Sequence, residues 1–189
     1  MEPRERESII RARQGDLAAF AELVRLHDGY IMRMIRSMSP AEDAEDLWQE
    51  TFIRAFTGLA SFRAESGFRT WLTRIAIRQC LSHRRKGRWQ RWIALPAASA
   101  DAADAPREPA SVDPLPDEQV LHHEMQAHLQ RALAALPGSQ RAAFVLKYVQ
   151  GCSIREIAAI LGKAEGTIKS DLFRAMQKVK ARMQQIYTL

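Results

Sequence analysis

Apolar residues recur along this chain at steps of three and four, and strand-like alternation is nearly absent. In the stretch DAEDLWQETFIRAF, residues 43–56, one helical stripe collects Ala44, Leu47, Trp48, Phe52, Ala55 and Phe56, and Leu59 continues it. Glu42, Asp43, Asp46, Gln49, Glu50 and Ile53 fall mostly on the opposite side. The same period predicts two helices over residues 8–37, broken near Gly15 and Asp16. Asp16 suits the cap of the second, whose stripe begins Leu17, Phe20, Leu23 and Val24. Pro40 ends that block. A helix from about 41 to 59 follows, then one from about 69 to 86 that buries Trp71, Leu72, Ile75, Ala76 and Leu81. Another runs from about 117 to 136, where Pro137 and Gly138 break it, and three short helical patterns complete the chain. The expected fold class is all-α.

Composition changes between these blocks. Residues 93–117 hold Pro96, Pro106, Pro109, Pro114 and Pro116, many alanines, and Asp101, Asp104, Glu108, Asp113 and Asp117 against the single Arg107. This is the composition of a flexible acidic linker, not of a core. Two small helical domains are therefore expected, 1–92 and 118–189, joined by 93–117.

The most specific pattern lies in SIREIAAILGKAEGTIKSDLFRAMQKV, residues 153–179. Ser153 and Glu156 have the spacing of a capping box. Ile154, Ile157, Ala158 and Leu161 give that helix a buried side, and Gly162 suits the left-handed residue that ends it. A second helix from about Glu165 buries Ile168, Leu172, Ala175 and Val179 and presents Lys169, Ser170, Phe173, Arg174 and Gln177. Two short helices around a tight glycine turn, with a basic outer face on the second, make a helix-turn-helix. An ordinary helical hairpin would share the turn, but Phe173 among exposed polar residues wastes apolar area unless a partner covers it. A thymine methyl in the major groove would do so.

Charge adds a second nucleic-acid candidate. The chain of 189 residues carries a formal net charge of +6. From Ser61 to Trp92 the cations are Arg63, Arg69, Arg74, Arg78, Arg84, Arg85, Lys86, Arg88 and Arg91, opposed only by Glu65. Trp71, Trp89 and Trp92 lie in the same stretch, with Trp71 on the buried stripe. Arginines with interleaved aromatics suit single-stranded nucleic acid, where phosphates pair with guanidinium groups and bases stack on rings. Against this background the acidic face of 43–56 has two readings: an ordinary solvated helix face, or a surface for a basic partner protein.

Cys80 and Cys152 sit far apart in apolar helical patterns and read as buried thiols without a disulfide framework. The N-terminal stretch MEPRERESIIRARQGD lacks the apolar segment of a secretory signal, and no apolar run approaches the ~20 residues of a membrane helix. A cytoplasmic protein without membrane insertion is expected. His122, His123 and His128 share a helix without cysteines or carboxylates at ligand spacing, so no metal site is expected. Neither a glycine-rich phosphate loop nor a nucleophile triad is present, so no catalytic residues and no cofactor are expected.

Taken in order, these parts resemble a bacterial RNA polymerase sigma factor of the extracytoplasmic-function group, from about Gly15 to Met183 apart from the linker. DAEDLWQETFIRAF is similar to the region that docks on the clamp helices of the polymerase β′ subunit. FRAESGFRTWLTRIAIRQCLSHRRK is similar to the region that melts the promoter and reads its −10 element. LPGSQRAAFVLKYVQGCSIREIAAILGKAEGTIKSDLFRAM is similar to the −35-reading domain. The resemblance implies polymerase contacts, to β′ and β, through Asp43, Asp46, Gln49 and Glu50. It implies −10 contacts from Phe62, Arg63, Ser66, Phe68, Arg74, Arg78, Arg84 and Arg85, with an unpaired base captured in the 62–68 loop. For the −35 element it implies Lys169, Ser170, Asp171, Phe173 and Arg174. An anti-sigma factor is the implied regulator, and the polymerase supplies the catalysis.

Two positions depart from the family pattern and bear on promoter sequence rather than on class. Arg78 stands where relatives often carry Asn, and Asp171 where they often carry Arg. Asp171, at the edge of the DNA-facing side, either accepts from a cytosine amino group or orients Lys169, Arg174 or Lys178. The rival reading of the whole chain is a stand-alone helix-turn-helix regulator. It would need neither the acidic 43–56 face nor the basic aromatic segment.

Overall fold

The protein's structure, a computed structural model, describes residues 2–64, 66–94 and 117–187, with side chains for 2–64, 66–85 and 124–185. Among the described residues all regular structure is helical. Helix α1 spans Pro3–Arg13 and α2 spans Leu17–Met38. The break between them is chemical: Gly15 takes a positive φ of 93°, and the Asp16 carboxylate accepts from the Ala19 amide at 3.0 Å. That bond and the Arg11 guanidinium hold the Asp16 carboxyl below its ordinary range.

Helix α3, Ala44–Gly58, starts three residues later than the sequence pattern suggests, because a turn at Pro40–Asp43 precedes it. Its buried side comprises Ala44, Leu47, Thr51, Phe52 and Ala55; Thr51 is admitted because its hydroxyl donates to the Leu47 carbonyl at 2.6 Å. Trp48 is only partly buried and ties α3 to α2 through Nε1, which donates to Asp28 at 3.1 Å. Phe56, placed on the stripe by periodicity, is 36% exposed. A 3₁₀ turn, Leu59–Ser61, leads through a loop to α4, Phe68–Ala94, which runs past the expected end near residue 86.

The C-terminal helices are α5 (Asp117–Ala134), α6 (Gly138–Phe144) followed by a π-helical turn (Val145–Val149), α7 (Ile154–Leu161) and α8 (Glu165–Tyr187). The last is one long helix rather than a short one. Helices α5, α6 and α7 all pack on α8. Leu133, Leu136, Phe144, Ala175 and Val179 form a core under α5. The expected linker lies largely outside the described residues.

The two halves do not stand apart. One apolar cluster runs from Ile9 and Leu23 through Leu72 and Ala76 to Ala142, Leu146, Ile157 and Ile168. Polar bonds cross the same boundary. Arg141 Nε donates to the Ser37 carbonyl at 2.9 Å, and Gln150 Nε2 donates to the Tyr30 carbonyl at 3.1 Å. Periodicity along each helix gave no sign of this docking.

Candidate functional site

Three surfaces carry the residues singled out by sequence. On α3, the inward stripe turns Asp46 and Gln49 to solvent beside Ile53, which is 59% exposed. Glu50 forms an i,i+4 ion pair with Arg54, so part of its charge is answered within the helix. Asp43 lies 3.6 Å from His83 Nδ1 on α4. The exposed acidic and amide face is therefore carried chiefly by Asp46 and Gln49.

The second surface surrounds the loop before α4. Phe62, Phe68 and Trp71 stack on one another with ring centroids 5.1 to 5.7 Å apart. Ala64 takes a left-handed φ of 57°, unusual for a residue with a Cβ, and so turns the loop back over this floor. The result is a cavity of about 150 Å³ lined by Ser61, Phe62, Arg63, Ala64, Ser66, Trp71 and Arg74. A cavity of that size admits one aromatic ring. Phe62 lines it. Phe68 does not: it is 1% exposed, faces His27 and supports the floor from behind. Phe62 is itself only 3% exposed, so what separates the two rings is that Phe62 borders the cavity and Phe68 packs behind it.

Around α4 from that cavity lies a wider groove of about 390 Å³, lined by Arg54, Arg78, Gln79, Leu81, Ser82 and Arg85. Arg78, Ser82 and Arg85 share a face at steps of four and three, and Arg54 reaches it from α3. Sequence reading missed Arg54. The available signal was a lone cation one turn after Glu50. Arg84 turns the other way, donating from Nη2 to the Ala134 carbonyl of α5, so it is not on this groove.

The third surface is α8. The turn before it is built as its residues dictate: Ser153 Oγ accepts from the Glu156 amide at 3.2 Å, Glu156 accepts from the Ser153 amide at 2.8 Å, and Gly162 takes φ 65°. Those bonds hold the Glu156 carboxyl below its usual range. Ile168, Leu172, Ala175 and Val179 face inward as expected. Lys169, Ser170 and Arg174 are exposed, with Phe173 67% exposed among them. Asp171 departs from its expected place. It is buried, 8% exposed, and accepts from Lys163 Nζ at 2.8 Å. In this structure the carboxylate is committed to the turn between the two helices and is not presented with Lys169, Ser170 and Arg174 on the exposed face. Its partner is also none of Lys169, Arg174 and Lys178.

Both cysteines have thiols pushed up by burial, with Cys152 only partly buried and its Sγ 3.8 Å from the Tyr30 hydroxyl. Among the described residues no group of three or more His, Cys, Asp or Glu could hold a metal ion, and no helix is long and apolar enough to cross a membrane. The side chains of His122 and His123 lie outside the described residues.

Two family models match the chain, one in each half. Residues 9–90 match the family model described as Sigma-70 region 2, and residues 127–179 match Sigma-70, region 4. The chain is 30% identical over 182 residues to the RNA polymerase sigma-H factor of Pseudomonas aeruginosa, covering 95% of this chain and 94% of that one. It is 31% identical over 178 residues to the ECF RNA polymerase sigma-E factor of Escherichia coli, covering 92% and 91%. Among solved structures it resembles the sigma factor RpoE of Bartonella quintana, crystallised with the anti-sigma factor NepR. The TM-score is 0.66 and the identity 27%, over 87% of this chain and 96% of that one.

Proposed function

This chain belongs to the extracytoplasmic-function group of RNA polymerase sigma factors, which direct core polymerase to promoters, and from that premise we propose how its surfaces divide the work. Residues 1–92 dock on polymerase and open the −10 element, and residues 118–189 hold the −35 duplex. The observation that carries this reading is the opposition of charge within one small domain. Asp46 and Gln49 stand exposed on α3, while Arg78 and Arg85 line a groove on α4. A chain with one partner has no need of both surfaces; a chain between a basic protein surface and DNA needs each.

In this reading the acidic α3 face meets cations on the β′ clamp helices, with further contact to β. An unpaired base leaves the stack and enters the cavity between Ser61 and Arg74, where Trp71 and Phe62 supply stacking area and Arg63 and Arg74 sit at its edge. Extrusion costs a few kcal/mol. Phosphate contacts from Arg54, Arg78 and Arg85 offset it. Lys169, Ser170, Phe173 and Arg174 enter the −35 major groove, Phe173 against a thymine methyl. The polymerase supplies all bond-making, so the chain is not an enzyme, and it works in the cytoplasm where the polymerase is. The solved relative was captured with an anti-sigma factor, and a regulator of that kind is expected here.

A double dissociation tests the division. Asp46→Arg should lose core polymerase in pull-down, since charge reversal at a desolvated contact costs several kcal/mol, and keep its affinity for DNA. Arg78→Ala with Arg85→Ala should keep polymerase and lose about two units of the salt-dependence slope for DNA. Unchanged polymerase capture by Asp46→Arg would remove α3 as the docking face.

A further inference from the structure

The floor of the cavity between Ser61 and Arg74 is supported from outside its own loop. Phe68 lies behind it, 5.5 Å from Trp71 and 5.7 Å from Phe62 between ring centroids, and also meets His27 of α2 at 5.3 Å. His27 is 9% exposed, and its Nε2 donates to the Glu5 carboxylate of α1 at 3.0 Å. Helix α1 reaches the same loop at a second point. Arg13 Nη2 donates to the Ala60 carbonyl at 3.3 Å, one residue before the cavity wall begins at Ser61. So α1 braces both the entry of the loop and, through His27, the ring beneath its floor. An aliphatic side chain at 27 would support Phe68 with no polar atom to satisfy. The imidazole adds a group that titrates near neutral pH.

We propose that His27 is a positioning residue for this cavity: paired with Glu5, its neutral ring sets Phe68 and, through Phe68, the Trp71 face on which a base stacks, and protonation of the ring loosens that floor. The part of the proposal that concerns DNA rests on the reading of this cavity as the base pocket.

The charges around the ring give the sign. Burial pulls His27 below its ordinary value, Glu5 opposes, and Arg69 of α4 adds to the lowering. Arg69 is held in place 5.3 Å over the Tyr30 ring. The two acids of α2 itself are engaged elsewhere: Glu22 accepts from Ser8 Oγ at 2.8 Å, and Asp28 accepts from Trp48 Nε1 at 3.1 Å. An added proton is therefore answered by Glu5, against burial and Arg69. The charged ring gains by turning toward water, and Phe68 then loses its support. The floor is intact above about 6.5, the ordinary histidine value, and loosens as pH falls below it.

The test uses the full chain without polymerase, labelled with 15N at the tryptophan indoles, and a fluorescent single-stranded 12-nucleotide DNA of degenerate sequence. The Trp71 indole signal, assigned by its loss in Trp71→Phe, is followed from pH 7.5 to 5.0. Strand affinity is read by anisotropy over the same range at constant ionic strength. In wild type the Trp71 signal should shift with a midpoint below about 6.5. Strand affinity should fall with the same midpoint by about threefold to tenfold, the partial loss of one base stack. His27→Gln keeps a hydrogen bond to Glu5 and should hold the Trp71 signal flat. Other histidines titrate in both proteins, so affinity is compared as the ratio of wild type to His27→Gln. Glu5→Gln removes the charge that favours the protonated ring, so both midpoints should move to lower pH. A Trp71 signal that ignores pH in wild type, or still follows it in His27→Gln, overturns the positioning role. Unmoved midpoints in Glu5→Gln remove Glu5 from the pair. A Trp71 signal that follows His27 while the affinity ratio stays constant sustains the positioning role and overturns the base-pocket reading.

Discussion

The Asp171 carboxylate lies 2.8 Å from Lys163 Nζ, with its side chain 12% exposed and that of Lys163 32% exposed. The helix period put Asp171 near the DNA-facing edge, but it could not see the turn folding Lys163 back over it. That partner lies eight residues away, beyond the reach of an i,i+4 argument. Asp171→Asn should therefore cost about 1 to 3 kcal/mol of stability in urea unfolding. It should leave discrimination among single-base −35 variants unchanged; a loss confined to one base position would restore direct reading. His27 gives a pH dependence. Buried beside Phe68, it has its ring held below its ordinary value by burial, with the 3.0 Å contact to Glu5 opposing. The unfolded chain then binds the proton more readily, so stability is full above about 6.5 and falls as pH drops through that value toward the folded one. Unfolding curves from pH 7.5 to 5 should show this decline, and His27→Gln should flatten it.

Local chemistry made the helices readable. The Asp16 cap, the Ser153–Glu156 box and the Gly162 turn each depend on residues within four positions of one another, and each forms as its residues suggest. Ser153→Ala should cost about 1 kcal/mol in thermal or urea unfolding. Because the cap fixes the start of the helix that supports α8, it should also weaken −35 DNA binding while leaving polymerase capture intact. Less legible were the late start of α3, set by a turn after Pro40, and the π-helical turn at Val145–Val149. The first is a local turn that helix periodicity does not register, and the second packs against α2. The aromatic floor of the cavity between Ser61 and Arg74 is an intermediate case. Its residues were singled out, but the division between lining and support came only with the positive φ at Ala64 and the stacking of Phe68 behind Trp71.

At the scale of the molecule, the acidic and basic surfaces were visible in the sequence because charge segregates by helix face. Domain docking was not visible, because Arg141, Gln150 and Arg74 reach main-chain carbonyls, which every residue offers. Burying Arg141 has a cost: a guanidinium held down at about 10 corresponds to roughly 3 kcal/mol against the docked state at neutral pH. Apolar contact through Ala142, Leu146 and Ile157 offsets it. The most direct measurement of the central claim is transcription in vitro by core polymerase with this chain on genomic fragments, with every transcript start mapped. The account predicts starts that share paired upstream elements. It also predicts that Phe173→Ala weakens use of the −35 element, whereas Arg74→Ala blocks opening at the −10 element with polymerase still bound. Polymerase that gains no defined starts from the chain would contradict it.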